Sequence, residues 1–577
     1  ACMGLVACGG AGDPSASGAT EADQGMLSAS GDKTPPSVAV KAQSGGGTTN
    51  LAALSGTASD NRRLATVSWA NSRGGSGTGK LTLIDSRTAT WAATAIPLQV
   101  GSNVITVTAL DAAGNSSTTT TTVTMDDTSG GGTGGGGTTG GGGTTGGDGT
   151  TTPSSFDTLY ASTFALKALS VDAIPSVSKP TVKAAGLSTP SFIDPAYGTR
   201  VYKATDASDL SGATFVRHDY SRRQSFNADN TRYLGYASNG FWALYDGANF
   251  KRLTRTGTYG SLKGMAGDCE PIWSPTDPTK LWYTTQNGGL VWWEKNVETD
   301  TDTVMADFRG RLPWPAATGL WTKAEGFSSA DGRYFAFMAT SYNSSTQTNI
   351  IHGLVTFDRV NNKIIGTLDA SAFGGAYPDH ISISPSGKYA VPSWAFNKTL
   401  GTRAYTLDFS SYRLLHTQSE HSDLAIGPNG EDFYVLTDYD SGYIRAVDMA
   451  TGNNINLMAL YPGKGQGYAA HISGKAFGRP GWVLISTYAD FADYAKTHPN
   501  PTPQAMNRKI VLAELKSGGR VLSVAHTRAA AHYGGYDGEH QATISRDGTR
   551  VMFATNFDDG GQPSSYLVLL PTWVYSR

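Results

Sequence analysis

The sequence predicts an all-β protein: a small β domain, a Gly-rich linker and a seven-bladed β-propeller, with eight blades the less favoured count. Three observations lead there. Gly makes up 71 of the 577 residues while charged residues make up only 16%, which suits turns and strands better than helices. The stretch SGGGTGGGGTTGGGGTTGGDGTTTPSS, from Ser129 to Ser155, cannot bury a core and so divides the chain. Beyond it, an apolar strand behind a small polar turn recurs seven times, as in SSADGRYFAFMAT, SPSGKYAVPSW and SRDGTRVMFATN. Between these copies lie strand–turn–strand segments such as GLVTFDRVNNKIIGTLD, so each unit supplies about four strands, the size of a propeller blade.

Residues 1–33 read as a small, polar tether. The segment GLVACGG within them resembles the lipobox of bacterial lipoproteins, which implies lipidation at Cys8 after signal cleavage. Gly9 follows, not the Asp that the pattern links to inner-membrane retention. The expectation is an exported protein of a Gram-negative bacterium, either an outer-membrane lipoprotein or extracellular, that touches membrane only through its lipid anchor.

Residues 34–126 show strand patterning, and GSNVITVTALDAAGN alternates apolar and polar residues before a turn. SGTASDN and VTALDAAGN resemble the immunoglobulin-like domains of secreted bacterial proteins, which implies a sandwich acting as a spacer. Residues 127–155 form the linker. Limited proteolysis is expected to cut there and leave both flanking domains intact, and a single resistant fragment spanning it would contradict the division.

Residues 156–577 make the propeller. FIDPAYGTRVYKAT could begin an eighth blade, but it is better placed completing the last blade and closing the ring. ADFADYAKTH is the one helix-like insertion. Aligning the seven turns brings Gln224, Glu270, Glu325, His380, His421, His471 and His540 to one mouth of the channel. Four of the ten histidines fill one kind of slot, and acids precede three of them, in Asp379-His380, Glu420-His421 and Glu539-His540. Neutral imidazoles of His380, His421, His471 and His540 could hold one divalent ion, Ca, Mn or Zn, with carboxylates behind them. The competing reading is a wet channel mouth whose polar groups pair with neighbouring blades.

The first copy, FVRHDYSRRQSFNADN, is richer still. Strand alternation would set His218, Tyr220 and Arg222 on one face, with Arg223 opposite and Gln224 nearby. Arg binds a carboxylate and offsets its charge, which eases removal of the neighbouring proton by a Tyr or His base. His421 is a further base, with Asp423 on its strand face. Tyr533 and Tyr536 in AHYGGYDGEH could stack on sugar rings, as Glu270, Arg223 and Gln224 could bind them. HDYSRRQ, the following FNADN and the inner-strand histidines resemble the propeller polysaccharide lyases of the oligogalacturonate-lyase and ulvan-lyase groups. That resemblance implies β-elimination at uronic acid residues of an acidic polysaccharide or oligosaccharide. Its rival is a surface propeller that binds glycan or protein without chemistry.

Other classes are set aside. A net charge of −2 offers no footprint for nucleic acid. There is no GxSxG elbow or Walker loop, and no organic cofactor is expected. GKGQG opens no helix, so phosphate binding is not expected there. Cys2, Cys8 and the single internal Cys269 make no disulfide framework. A monomer is expected.

Overall fold

A computed structural model describes residues 32–125 and 156–576, apart from residues 47–48, 63, 73–75, 85–86, 99–100, 112, 396, 418–420, 461–468, 489–504, 507, 529–538 and 558–560. Cys8, Glu420, Tyr533, Tyr536 and the ADFADYAKTH segment lie outside the described residues. The chain separates into two compact units, residues 1–147 and 148–577.

In the first unit seven antiparallel strands form one continuous path, from Ser37–Gly46 at one end to Ser116–Met125 at the other. Their inward residues make one core around Trp69, Trp91, Ile96, Ile105 and Val107. Alternation along the strands selects which side chains enter it: in Leu64–Asn71, Val67, Trp69 and Asn71 are buried and the residues between them less so.

The second unit is the propeller. Blade 1 starts with the inner strand Val216–Arg217, blade 2 with Ile272–Trp273, and blade 3 with Gly319–Trp321. Blade 4 starts with His380–Ile383, blade 5 with Ser422–Ile426, blade 6 with Ala469–Ser473, and blade 7 with Thr543–Ile544. Each opens an antiparallel run of four strands, to which Lys167–Ala168 adds a fifth in blade 6 and Phe192–Ile193 a fifth in blade 7. Blade 7 takes its fourth strand from the start of the domain. Arg200–Lys203 pairs with Ser564–Leu569 in the register Arg200↔Leu569 to Lys203↔Tyr566. The closure expected from TRVYKAT is therefore present, and it fixes seven blades over eight. Val216 also bridges Ser564 in parallel, so blades 7 and 1 run into one sheet.

The repeated turn is held by its own side chains. In Ser329–Gly332 the Ser329 hydroxyl donates to Asp331, and Arg333 N–H donates to the same carboxylate at 3.0 Å. Gly332 has φ +70°, and a Cβ there would meet Trp282 at 2.7 Å, so the turn and the blade contact both need Gly. Between blades the aromatic residues pack. Trp292 is fully buried against Phe335 and Phe337, with its indole N–H donating to the Leu320 carbonyl at 3.0 Å. Trp292 therefore belongs to the core.

Candidate functional site

The inner strands differ in regularity, and this shapes the channel mouth. Blades 4, 5 and 6 present unbroken strands there. Blades 1, 2, 3 and 7 present excursions. Glu270, Lys323, Ala324 and Gln541 all hold positive φ, between +42° and +61°, a conformation that costs a non-Gly residue energy. In blade 1 the strand stops at Arg217, and residues 218–224 turn across the channel.

The alternation expected to align His218, Tyr220 and Arg222 therefore does not operate. The crossing segment instead sends side chains to every other blade. Arg217 donates to the Gln541 side chain at 2.6 Å, and His218 lies against the Gln541 carbonyl at 2.6 Å and the Ser565 hydroxyl at 3.1 Å, all on blade 7. A carbonyl only accepts, so His218 carries its proton on Nε2. Both its nitrogens are engaged away from Tyr220. Gln224 donates to the Ile544 carbonyl at 3.1 Å and accepts from Phe226 N–H at 3.2 Å, so its amide serves the backbone rather than the mouth.

Tyr220 and Arg222 do reach the channel. The Tyr220 hydroxyl is 3.1 Å from Nδ1 of His421 on blade 5, and its ring meets His471 of blade 6 edge-on. The His421 and His471 rings are 4.5 Å apart, and Glu539 lies 3.2 Å from Nε2 of His471. Arg222, 2% exposed, donates to Nε2 of His380 at 2.6 Å and to Glu325 at 3.3 Å. Its Nε stands 3.8 Å from Asp423. Because Arg only donates, His380 accepts at Nε2 and carries its proton at Nδ1, which faces Asp379 at 3.2 Å.

Arg223 points the other way, toward blades 2 and 3. It donates to the Ala324 carbonyl at 2.8 Å and lies 3.6 Å from Asp219 and 3.8 Å from Glu270. The Glu270 carboxylate accepts from the backbone N–H groups of Thr322 and Ala324 and so holds the blade 3 excursion in place. Beneath the mouth, Phe327 of blade 3 and Phe477 of blade 6 meet across the channel with ring centres 6.0 Å apart.

The electrostatics follow from burial. Desolvation, with Arg217 for His218 and His471 for His421 and His540, lowers these three imidazoles to about 3. Burial and Arg217 do the same to His471, and burial and Arg222 lower His380 to about 4. All five are neutral at physiological pH. Burial opposes ionisation of Asp379, but His380 and Lys323 outweigh it and hold the carboxyl low. Burial and the Asp379 charge push Glu325 up to about 7, and burial raises Asp219 to about 6.

These facts bear on a metal. Among the described residues of the propeller, the donor atoms that lie within 4.8 Å of one another belong to Glu325, Asp379 and His380. The four histidines His380, His421, His471 and His540 do not form such a group. Arg222 already occupies Nε2 of His380, while its Nδ1 faces Asp379 at 3.2 Å and Glu325 at 3.6 Å. The residues do not fit a four-histidine centre. Of the ring expected at one mouth, Glu325, His380, His421 and His471 meet there and are joined by Tyr220 and Arg222, whereas Gln224 and Glu270, like His218, serve the scaffold. Lys475, Lys323 and Gln541 were not singled out by the sequence. For Lys475 a signal existed, since it shares alternation parity with His471.

No family model and no curated protein matches the chain. Solved structures resemble it distantly. An oligogalacturonate lyase from Vibrio parahaemolyticus matches at 14% identity over 66% of this chain and 96% of its own, with a TM-score of 0.44. The β-propeller domain of Cps50 (Swd1) from Myceliophteria thermophila matches at 11% identity over 48% of this chain and 95% of its own, with a TM-score of 0.26. The propeller assignment rests on the chain's own blades.

Proposed function

We propose that the propeller binds an acidic polysaccharide or oligosaccharide at this mouth and cleaves it by β-elimination at a uronic acid residue. One observation carries the reading. A phenol bonded to a neutral imidazole, Tyr220 to His421, comes from the same short segment as a buried guanidinium, Arg222. Arg222 would pair with the substrate carboxylate and offset the charge that builds up as its α-proton leaves. The Tyr220–His421 pair would take that proton. The C–H electrons form the new double bond, and the glycosidic oxygen departs with a proton returned from the same pair. Arg223, buried between Asp219 and Glu270, is left to the scaffold. The first unit is read as an immunoglobulin-like spacer, and Cys8 as the lipid anchor of an exported protein.

The second reading, a surface propeller that binds glycan or protein without chemistry, draws on Arg217, His218 and Gln224, which hold the ring together. Incubation with a panel of acidic polysaccharides separates the two. Growth of the ultraviolet absorbance of an unsaturated uronate is the expected result. Tyr220→Phe is expected to slow it by about 10²–10⁴ with binding retained. Binding to the panel without any absorbance change would leave only the second reading.

A further inference from the structure

Beneath the mouth lies a buried ion pair that the proposed chemistry does not use. Lys475 and Asp423 side chains are each 1% exposed, and Lys475 Nζ donates to Asp423 Oδ1 at 2.7 Å. The Gly474 N–H donates to Oδ2 at 2.7 Å. The other neighbours of the ammonium are aromatic, with the Phe327 ring centre at 4.8 Å and that of Phe477 at 5.9 Å. Arg222 Nε faces the same Oδ1 from 3.8 Å, beyond hydrogen-bond range, and has no acceptor among the described residues. Asp423 thus has two buried cations within reach and bonds only one.

That choice matters for Arg222. A buried carboxylate without a partner is costly and draws in the nearest cation. If Asp423 bonded Arg222 directly, most of the guanidinium charge would be neutralised within the protein. With Lys475 holding Asp423, the charge of Arg222 faces His380, which is neutral, and the carboxyl of Glu325 at the mouth.

We propose that Lys475 is a positioning residue: by holding Asp423 it keeps that carboxylate from hydrogen-bonding Arg222 and leaves more of the guanidinium charge available to an anionic ligand at the mouth. The proposal rests on the reading of this mouth as an acidic-glycan site. Lys475 belongs to the floor and touches no substrate. Its effect therefore falls on how strongly an anion is held.

The test uses the full chain. Lys475→Met keeps the length of the stem and removes the ammonium. A crystal structure of this variant is expected to show Arg222 Nε at hydrogen-bond distance from Asp423 and Nη1 withdrawn from His380. With polygalacturonate as the probe, KM is expected to rise on the order of 10- to 100-fold, the scale of one charged hydrogen bond, with kcat changed far less. Lys475→Met combined with Asp423→Asn removes both charges and is expected to return KM close to the wild-type value. If Lys475 were only a packing element, the double variant would be no better than the single one, and that result overturns the proposal, as does an unmoved Arg222. Should Lys475→Met fail to fold, Asp423→Asn alone decides: affinity at or above wild type supports the proposal, and a loss of about tenfold or more overturns it. If the wild type neither binds nor cleaves polygalacturonate, the glycan reading fails on that probe, while the position of Arg222 in the variant still decides the role of Lys475.

Discussion

Replacing Arg222 by Ala is expected to lower kcat/KM on an acidic glycan by about 10²–10³, the scale seen when one preorganised electrostatic donor is lost. The argument begins with burial. Arg222 is 2% exposed and faces Glu325, His380 and Asp423 across the channel. Its charge acts in a desolvated setting, where an ion pair with a substrate carboxylate is stronger than in water. That interaction strengthens as negative charge spreads from the α-carbon onto the carboxylate, so the loss should fall on kcat as well as KM. Arg222→Lys should recover only part, because an ammonium lacks the planar fork. The same substitutions disturb structure. Arg222→Ala leaves Asp423 with Lys475 and Gly474 but removes the donor to His380 and Glu325, so unfolding midpoints must be measured beside the rates. Steady-state kinetics decide the matter. An Ala variant that folds and keeps its rate within a few fold makes Arg222 a scaffold residue, and a variant that loses binding alone supports the non-catalytic propeller.

The fold was legible because propellers repeat. SADGRYF and SRDGTRV each encode a Ser/Asp-held turn followed by a buried strand, SPSGKYA forms the same turn with Ser384 and Ser386 bonded to Asp432 of the next blade, and the local hydrogen bonds of Ser329 and Asp331 show why the pattern persists. Closure was legible from TRVYKAT, a strand with no blade of its own. The site was legible only where inner strands stay regular. His380, His421 and His471 sit on or beside the unbroken strands of blades 4, 5 and 6, and register placed them together. In blade 1 the strand ends at Arg217, so period-two reasoning failed for His218 and Gln224. Glu270 failed for a related reason. Its positive φ turns the side chain onto the backbone of Thr322 and Ala324, a geometry no spacing announces. Lys475 was readable by parity, but a single lysine after a strand gives no hint that it will be buried.

A full chain lacking residues 156–205 is expected to lose cooperative unfolding of the propeller. The missing segment supplies Arg200–Lys203, the fourth strand of blade 7, and without it Ser564–Leu569 becomes an open edge. Val201 is 1% exposed and Tyr202 is fully buried, in cores that also take residues from blades 6 and 7 and from blade 1. Burial of two such side chains contributes about 2–3 kcal/mol each, and the lost strand hydrogen bonds about 1 kcal/mol apiece. Together these approach the whole stability of a typical domain, on the order of 5–15 kcal/mol. Closure also joins chain ends that are far apart in sequence, so its loss frees the ring to open at the junction of blades 7 and 1. The exposed strand is then a template for pairing between chains, and aggregation should accompany the loss. Denaturant unfolding checks this, and an unchanged midpoint in the shortened chain would show that the ring holds without its latch. A peptide spanning residues 156–205, added in trans, should restore cooperativity by pairing along Ser564–Leu569, because the register and the pockets for Val201 and Tyr202 belong to the ring and not to the covalent connection.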